Sequence, residues 1–203
     1  MGGVSPRRVD AIVVDLRKGP IREVTPTGIR TEQRHYDLDA IIYATGFDAM
    51  TGALTRIDIR GRGDVCLRDI WATDGPYSYL GLAVAGFPNL FMVQAPGSPS
   101  ATTNFVAALE QHVEWITDCI AYLRSAGYRT IEALREAQRE WIEHTTSLVA
   151  PTVLVHPTCN SWYNGGNVPG KKRMYMAYTA GIPEYRRRCD EIAADGYTGF
   201  KLG

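Results

Sequence analysis

A Gly-Ser-Pro turn between an apolar run and a long helical pattern has residue types suited to ligand chemistry. Leu90–Gln94 (LFMVQ) is predicted to be a strand, and Ala95–Pro99 breaks the chain after it. Ser98 or Ser100 can then cap a helix that has Pro99 near its first turn. Backbone N–H groups and the positive helix end would face a ligand there, although an ordinary strand-to-helix corner has the same pattern.

The helix predicted after this turn is long and largely buried. Its apolar residues recur at the helical period and end at a glycine stop, Gly127. They are Phe105, Leu109, Val113, Ile116, Ile120 and Leu123, with Trp115, Cys119 and Tyr122 widening the stripe. A rigid helix of this kind would hold the turn in place.

A second stretch, Leu38–Asp48 (LDAIIYATGFD), joins an apolar run to small residues. Its β-branched and aromatic residues indicate a strand buried on both faces. Ala44, Thr45 and Gly46 follow at once, and small residues let a flat ligand or another backbone come close. The stretch predicts a buried strand that ends in a ligand-sized turn.

A third stretch is the loop Cys159–Arg173, which holds three glycines, one proline, two aromatic residues and three cations. Such a loop is expected to be mobile and able to fold over an anionic ligand. Trp162 in it is a large ring with one hydrogen-bond donor, which favours partial burial. Lys171 and Lys172 could meet phosphates, but solvated lysines are the better interpretation.

The sequence lacks the motifs of several other kinds of enzyme and binding site. The sequence has no GxSxG elbow, no Walker A motif and no complete GxGxxG. Gly61–Asp64 (GRGD) is interpreted as a hairpin turn. The histidines show no metal-ligand spacing and the cysteines form no CxxC pair, so both sets are interpreted as structural. They are His35, His112, His144 and His156, and Cys66, Cys119, Cys159 and Cys189.

The composition narrows the class of protein. The 203 residues are 45% hydrophobic and 22% charged, with 22 cationic and 22 acidic side chains. A net charge of zero argues against a general nucleic-acid binder. No run reaches the length of a membrane span and no secretory signal is visible, so a cytoplasmic protein is expected.

The remaining pattern predicts an α/β fold in which a β-rich first segment precedes three main helices. The further predicted strands are Ala11–Asp15, Ile21–Val24, Gly28–Thr31, Ile57–Ile59 and Met174–Tyr178, with Val153–His156 extended. The further predicted helices are short pieces at Thr51–Leu54 and Leu67–Trp71, and longer ones at Thr130–Leu148 and Ile182–Asp195.

Seven strings in this order resemble the C-terminal part of the Baeyer–Villiger flavin monooxygenases, of the phenylacetone and cyclohexanone type. They are ATGFDAMTGAL, IDIRGRG, YLGLAVAGFPNLF, APGSPSATTN, EQHVEWI, NSWYNGGNVPGK and YRRRCDEIAADGYTGF. The resemblance implies a partial FAD/NAD(P)-binding two-domain fold. Residues 1–46 would end the nicotinamide-binding domain and lead back to the flavin domain, and residues 47–203 would be the C-terminal part of the FAD-binding domain.

The resemblance also implies an activity, which is conversion of ketones to esters or lactones with FAD, NADPH and O2. Carried over by position, the cofactor-binding residues would be Thr45, Gly46, Gly97, Ser98, Pro99, Asn104 and Trp162, with Trp162 reaching the NADP ribose. Ser100, Ala101 and Thr102 would line the substrate pocket. The chain would contain no metal site.

The resemblance also shows what is absent. Both GxGxxG fingerprints and the family's catalytic arginine lie upstream of the matched segment. The isolated chain is therefore expected to be inactive, and a separate N-terminal chain is a potential partner. The alternative is a non-catalytic remnant or module that binds a nucleotide or another chain.

Overall fold

The computed structural model describes residues 11–44, 46–100 and 103–203. The chain divides into two compact units, Met1–Thr45 and Gly46–Gly203. The division falls one residue before the domain boundary predicted from the sequence. The assignment of the units to a nicotinamide domain and a flavin domain stays a prediction.

The first unit is an antiparallel meander of β1 (Ile21–Thr25), β2 (Gly28–Thr31) and β3 (His35–Asp37). The β1–β2 hairpin and its turn were predicted. Gly28 is required where β2 meets β3, because a Cβ there would lie 1.9 Å from the carbonyl oxygen of Tyr36. A side chain at this position would therefore push the two strands apart.

Two strands predicted in this unit are not formed. Ala11–Asp15 and Leu38–Tyr43 join no ladder within the described residues. Val13 is 93% exposed and Ile42 91% exposed, so the prediction of a buried strand before Thr45 is wrong for this chain. A strand buried on both faces needs neighbouring strands and covering helices, and the described part of the unit supplies neither.

The described residues of the second unit form five helices, the first two short. They are α1 (Gly52–Thr55), α2 (Leu67–Thr73), α3 (Phe105–Ala126), α4 (Arg135–Val149) and α5 (Ile182–Ala194). Single 3₁₀ turns lie at Arg62–Asp64, Val153–Val155 and Trp162–Asn164. Four short strands form two ladders: β4 (Ser98–Pro99) runs parallel to β6 (Ala177–Tyr178), and β5 (Ile131–Ala133) runs antiparallel to β7 (Phe200–Leu202).

An aromatic core joins the three long helices. Trp141 of α4 stacks on Tyr178 of β6, with ring centroids 5.2 Å apart and planes 5° apart. Trp115 of α3 donates its indole N–H to the carbonyl oxygen of Cys189 in α5, at 3.0 Å. The Trp141 indole N–H also has a partner, the carbonyl oxygen of Gly97. Large rings bury much apolar area, and their polar N–H groups are satisfied here. This packing fixes β4, and with it the turn that the sequence singled out.

The structure corrects several predicted boundaries. The long helix begins at Phe105 rather than near Pro99, because Ser98 precedes a proline and is held extended in β4. Residues 90–94 and 57–59 join no strand ladder, and residues 153–155 are 3₁₀ rather than extended. The second long helix begins at Arg135, because Ile131–Ala133 pairs with β7 instead.

Other predicted features are confirmed. Gly127 ends α3 in a left-handed conformation, with φ 78°. The predicted helical pieces after residues 51 and 67 and the helix beginning at Ile182 are present. The Arg62–Asp64 turn is closed by a bridge between Arg60 and Cys66, as expected for a hairpin turn. No helix in the described ranges is both long and apolar enough to cross a membrane.

Candidate functional site

A cavity of about 620 Å³ in the second unit brings parts of all three sequence stretches together. One wall comes from the residues after Gly46, a second from the residues on either side of the Gly-Ser-Pro turn, and a third from the Trp162 loop. The lining residues are Asp48, Ala49, Met50, Ala53, Leu54, Met92, Val93, Gln94, Ser100, Phe105, Trp162 and Tyr163. Of the predicted site residues, Ser100 and Trp162 line this cavity.

Three predicted site residues, Thr45, Ala101 and Thr102, lie outside the described residues. Gly46 is exposed and has a positive φ of 80°, and nothing lies within 4 Å of where its Cβ would be. The space that the sequence predicted beside Gly46 is therefore open in this chain.

The Gly-Ser-Pro turn lies behind the cavity rather than on its surface. Ser98 and Pro99 are buried, and Gly97 is half-buried. The backbone N–H of Gly97 donates to the carbonyl of Met176 at 2.8 Å, and its carbonyl accepts from the Trp141 indole at 3.1 Å. Because both backbone groups of Gly97 are satisfied within the chain, the turn supports the wall of the cavity, and a flavin contact from it stays a prediction.

Asn104 has a role that the sequence analysis did not give it. Its side-chain oxygen accepts from the backbone N–H groups of Val106 at 3.1 Å and Ala107 at 3.3 Å. Asn104 is thus the N-cap of α3, the role predicted for Ser98 or Ser100. The start of α3 is therefore capped by the chain itself and is not left open to a ligand.

Trp162 opens a 3₁₀ turn that Ser161 caps by accepting from the N–H of Tyr163. Its indole stacks on the Tyr163 ring with centroids 3.7 Å apart, and the residue is 39% exposed. Within the described ranges, no hydrogen bond from the indole N–H is found. Trp162 is therefore only partly buried, and its ring contact is with the neighbouring Tyr163.

The Trp162 loop is fastened to neighbouring segments by its amide and its cations. Asn167 donates to the carbonyl of Phe47 at 2.9 Å. Lys171 forms an ion pair with Asp48 and donates to the Thr51 hydroxyl at 2.6 Å. Lys172 donates to the Asp74 carbonyl at 2.7 Å, at the C-terminal end of α2. The interpretation of Lys171 as solvated is wrong, because its side chain is only 15% exposed and pairs with Asp48. Lys172 is exposed, as expected for a solvated lysine, although it also donates to backbone carbonyls.

Gln94 and His112 are the residues that the sequence reasoning missed. The backbone N–H of Gln94 donates to Nδ1 of His112 at 3.2 Å. His112 is fully buried, and this burial lowers its pKa to about 4, so the ring is neutral near pH 7. The helical pattern placed His112 among buried residues, as confirmed here, but nothing in it indicated a contact with Gln94.

The residues of the cavity fit a flat, largely apolar group that carries acceptor oxygens. Most of the lining is aliphatic or aromatic. Two of its polar residues, Gln94 and Ser100, each have a buried side-chain atom, Nε2 and Oγ, without a partner among the described residues. Buried donors without partners are costly and are normally satisfied by a ligand or water. No group of acidic, histidine or cysteine side chains suited to a metal ion is found in the described part of the chain.

Comparison with known proteins gives one consistent result. No family model matches the chain. A Baeyer–Villiger monooxygenase of Pseudooceanicola batsensis is 40% identical over 194 residues, which cover 95% of this chain and 35% of that protein. The closed crystal structure of cyclohexanone monooxygenase superposes with a TM-score of 0.86 at 44% identity, covering 94% of this chain and 35% of that one.

A further similar structure is that of OTEMO in complex with FAD and NADP, with a TM-score of 0.81 at 41% identity over 94% of this chain and 34% of that one. The chain spans about a third of the length of the curated relatives it matches. The resemblance carried by the seven sequence strings is thereby confirmed by sequence and by fold. Over nearly its whole length, this chain is homologous to a C-terminal part of the Baeyer–Villiger flavin monooxygenases.

Proposed function

We propose that this chain supplies the C-terminal part of an FAD- and NADPH-dependent monooxygenase that converts ketones to esters or lactones with O2. The observation that carries the proposal is the cavity where Asp48, Gln94, Ser100 and Trp162 meet. The residues after Gly46 and the Trp162 loop are distant in sequence, and both contribute to one apolar, ligand-sized space. Relatives and solved neighbours with the same fold carry this activity in their names.

In the proposed enzyme, FAD reduced by NADPH supplies the oxygen-insertion chemistry when both are bound. The residues of this chain bind, orient and exclude water. Trp162 would give its indole N–H to the NADP ribose, which suits a donor without a described partner. Met50, Leu54, Met92 and Phe105 line the space with apolar surface, and such surface keeps water from a reacting centre.

Exposed apolar surface in both units supports the idea that another part of the protein covers this chain. In the first unit, a groove of about 780 Å³ is lined by aliphatic residues including Ile12, Val14 and Ile29. On α3, Val106 is 61% exposed and Val113, seven residues later, is 55% exposed. Surfaces of this kind mark contact sites, and the matched relatives are about three times as long as this chain.

The rival is a non-catalytic module that binds a nucleotide or another chain without oxygenating anything. The absence of a GxGxxG fingerprint in the sequence favours this rival for the chain taken alone. The formed cavity and the half-exposed Trp162 favour the enzyme. The proposed enzyme acts on a ketone and O2 in the cytoplasm. Its partner is the N-terminal portion of the same kind of monooxygenase.

Flavin retention separates the two functions. The chain is purified alone, and also after co-expression with the N-terminal two-thirds of a matched relative that carries both fingerprints. We expect no flavin absorbance from the chain alone, because nothing in it holds the pyrophosphate, and one flavin per complex after co-expression. Flavin at near-unit stoichiometry on the isolated chain, or no complex at all, contradicts the proposal.

A further inference from the structure

The cavity described above has a few polar residues among its apolar lining. Of its polar lining residues, Asp48 is engaged by Lys171 and by the hydroxyl of Thr51, which donates to it at 3.1 Å. Two further polar lining residues, Gln94 and Ser100, come from the same short segment of chain. Ser100 is only 1% exposed, and Gln94 is half-buried. Ser100 therefore belongs to the protein interior rather than to the solvent-facing rim.

Gln94 has a backbone conformation that few glutamines adopt. Its φ is 57°, in the left-handed region that favours glycine. The neutral imidazole of His112 holds it there by accepting its backbone N–H at 3.2 Å. Strained residues that the surroundings hold in place are concentrated at binding and active sites, which makes Gln94 a candidate for a functional role.

The amide nitrogen of the Gln94 side chain makes no hydrogen bond within the described residues. This atom, Nε2, is buried. Ser98 does not satisfy this nitrogen, because the Ser98 hydroxyl faces the other polar atom of the carboxamide, Oε1, at 3.5 Å. A residue that lines an apolar cavity thus combines a strained backbone with a side-chain donor that has no described partner.

We infer that Gln94 is a specificity-determining residue whose carboxamide, together with the Ser100 hydroxyl, hydrogen-bonds a carbonyl oxygen of the molecule that occupies the cavity. The inference rests on the proposed function for the identity of that molecule. Two sources have the required chemistry, a ring carbonyl of the flavin and the carbonyl of the ketone. In either case an occupant without an acceptor oxygen leaves the amide unsatisfied and binds more weakly.

The first test uses the chain by itself and needs no flavin. Side-chain amide signals are recorded by ¹⁵N NMR, and the Gln94 pair is identified by its absence in Gln94→Met. Titration with cyclohexanone is expected to shift this pair, while the exposed Gln33 pair, identified with Gln33→Met, stays in place. If the two Gln94 amide signals do not shift at saturating ketone, the ketone does not supply the carbonyl that Gln94 binds. The flavin-binding measurement in the second test then decides.

The second test uses the chain co-expressed with the N-terminal two-thirds of a relative. Gln94→Met keeps side-chain length and removes the amide, and Gln94→Gly removes it while relieving the positive φ. If the ketone is the source, both variants should weaken equilibrium ketone binding about three- to tenfold, with flavin content unchanged. If the flavin is the source, both should weaken flavin binding by that factor instead.

Unchanged ketone and flavin affinities in both variants overturn the inference and leave the proposed function standing. Failure of the unmodified complex to bind flavin has the opposite meaning, since it removes the proposed function, and the NMR titration then decides the role of Gln94 alone. Folding is followed by circular dichroism, and Gln94→Gly keeps the test valid if Gln94→Met is poorly folded.

Discussion

The indole of Trp162 stacks on the ring of Tyr163 with centroids 3.7 Å apart and planes 25° apart, beside the cavity that both residues line. The stack holds the indole ring in place, and its N–H has no described partner. A tryptophan that served only as core would instead be fully buried. This relationship makes the role of Trp162 testable by separating the ring from the N–H.

Replacing Trp162 with Phe keeps an aromatic ring and removes the donor. In the reassembled enzyme we expect product formed per NADPH to fall and hydrogen peroxide to rise, with little change in melting temperature. Trp162→Ala should cost well under the about 3–5 kcal/mol typical of a buried tryptophan, because the residue is 39% exposed. Unchanged coupling in Trp162→Phe rules out the cofactor role, and a large stability loss in Trp162→Ala indicates a core role.

The ion pair between Lys171 and Asp48 fastens the loop that carries Trp162 to the segment after Gly46. The two side chains are 15% and 33% exposed, so the pair is partly shielded from water. Lys171→Met should lower the free energy of unfolding by about 1–2 kcal/mol and speed amide exchange across residues 159–173.

Arg139→Gln is the matched control for this prediction. It removes the pairs of Arg139 with Glu136 and Glu143 on the outer face of α4, where the arginine side chain is 61% exposed. Exposed pairs contribute little, so neither stability nor exchange in the loop should change measurably. Equal exchange rates in the Lys171→Met variant and the unmodified chain would show that the pair does not hold the loop.

His112 should make the stability of the chain depend on pH. Burial lowers its folded-state pKa from 6.5 to about 4, so the unfolded chain binds the proton more readily. The contribution of the neutral ring is complete above pH 6.5 and is lost as the pH falls toward 4, a loss on the order of 3 kcal/mol. His112→Gln keeps an acceptor for the Gln94 N–H and does not titrate.

The measurement is urea unfolding of both proteins at pH 7.5 and pH 5. The loss of stability between the two values should be smaller in His112→Gln, because other titrating groups remain and only the histidine contribution disappears. Parallel curves for the two proteins would mean that His112 is accessible to protons in the folded chain.

Asn104 caps α3, and removing its side chain should lower the free energy of unfolding. Asn104→Ala leaves the N–H groups of Val106 and Ala107 without their acceptor and should cost about 1 kcal/mol in chemical unfolding. Asn104→Asp should retain the cap. Ser100→Ala is the control, because Ser100 was predicted as a cap but caps nothing in the structure. Equal losses for Asn104→Ala and Ser100→Ala contradict this assignment.

The sequence predicted the parts of the fold that depend on local pattern. The periodic apolar stripe and Gly127 located the end of α3, and the helix beginning at Ile182 and the β1–β2 hairpin follow the same logic. The start of α3 was placed too early because Ser98, Pro99 and Ser100 look like cap and first turn. Pairing of Ser98 and Pro99 with β6, some eighty residues later, decided the outcome, and no local pattern carries that information.

The candidate site was predicted in part. Trp162 and Ser100 were found through the resemblance, because strings such as NSWYNGG and APGSPS are specific in combination. Gln94 was read only as the last residue of a strand, since a positive φ at a non-glycine residue has no signature in sequence. Leu38–Tyr43 has the residues of a buried strand and is exposed here, because strand burial depends on neighbours that the described residues do not include.

The most direct test of the central claim is oxygen transfer by the reassembled protein. The chain is co-expressed with the N-terminal two-thirds of a matched relative and supplied with NADPH, cyclohexanone and ¹⁸O2, and the product is analysed by mass spectrometry. We predict a lactone carrying one ¹⁸O atom, absent when either part is expressed alone. A complex that binds flavin and oxidises NADPH but gives only hydrogen peroxide, with no labelled lactone, would contradict it.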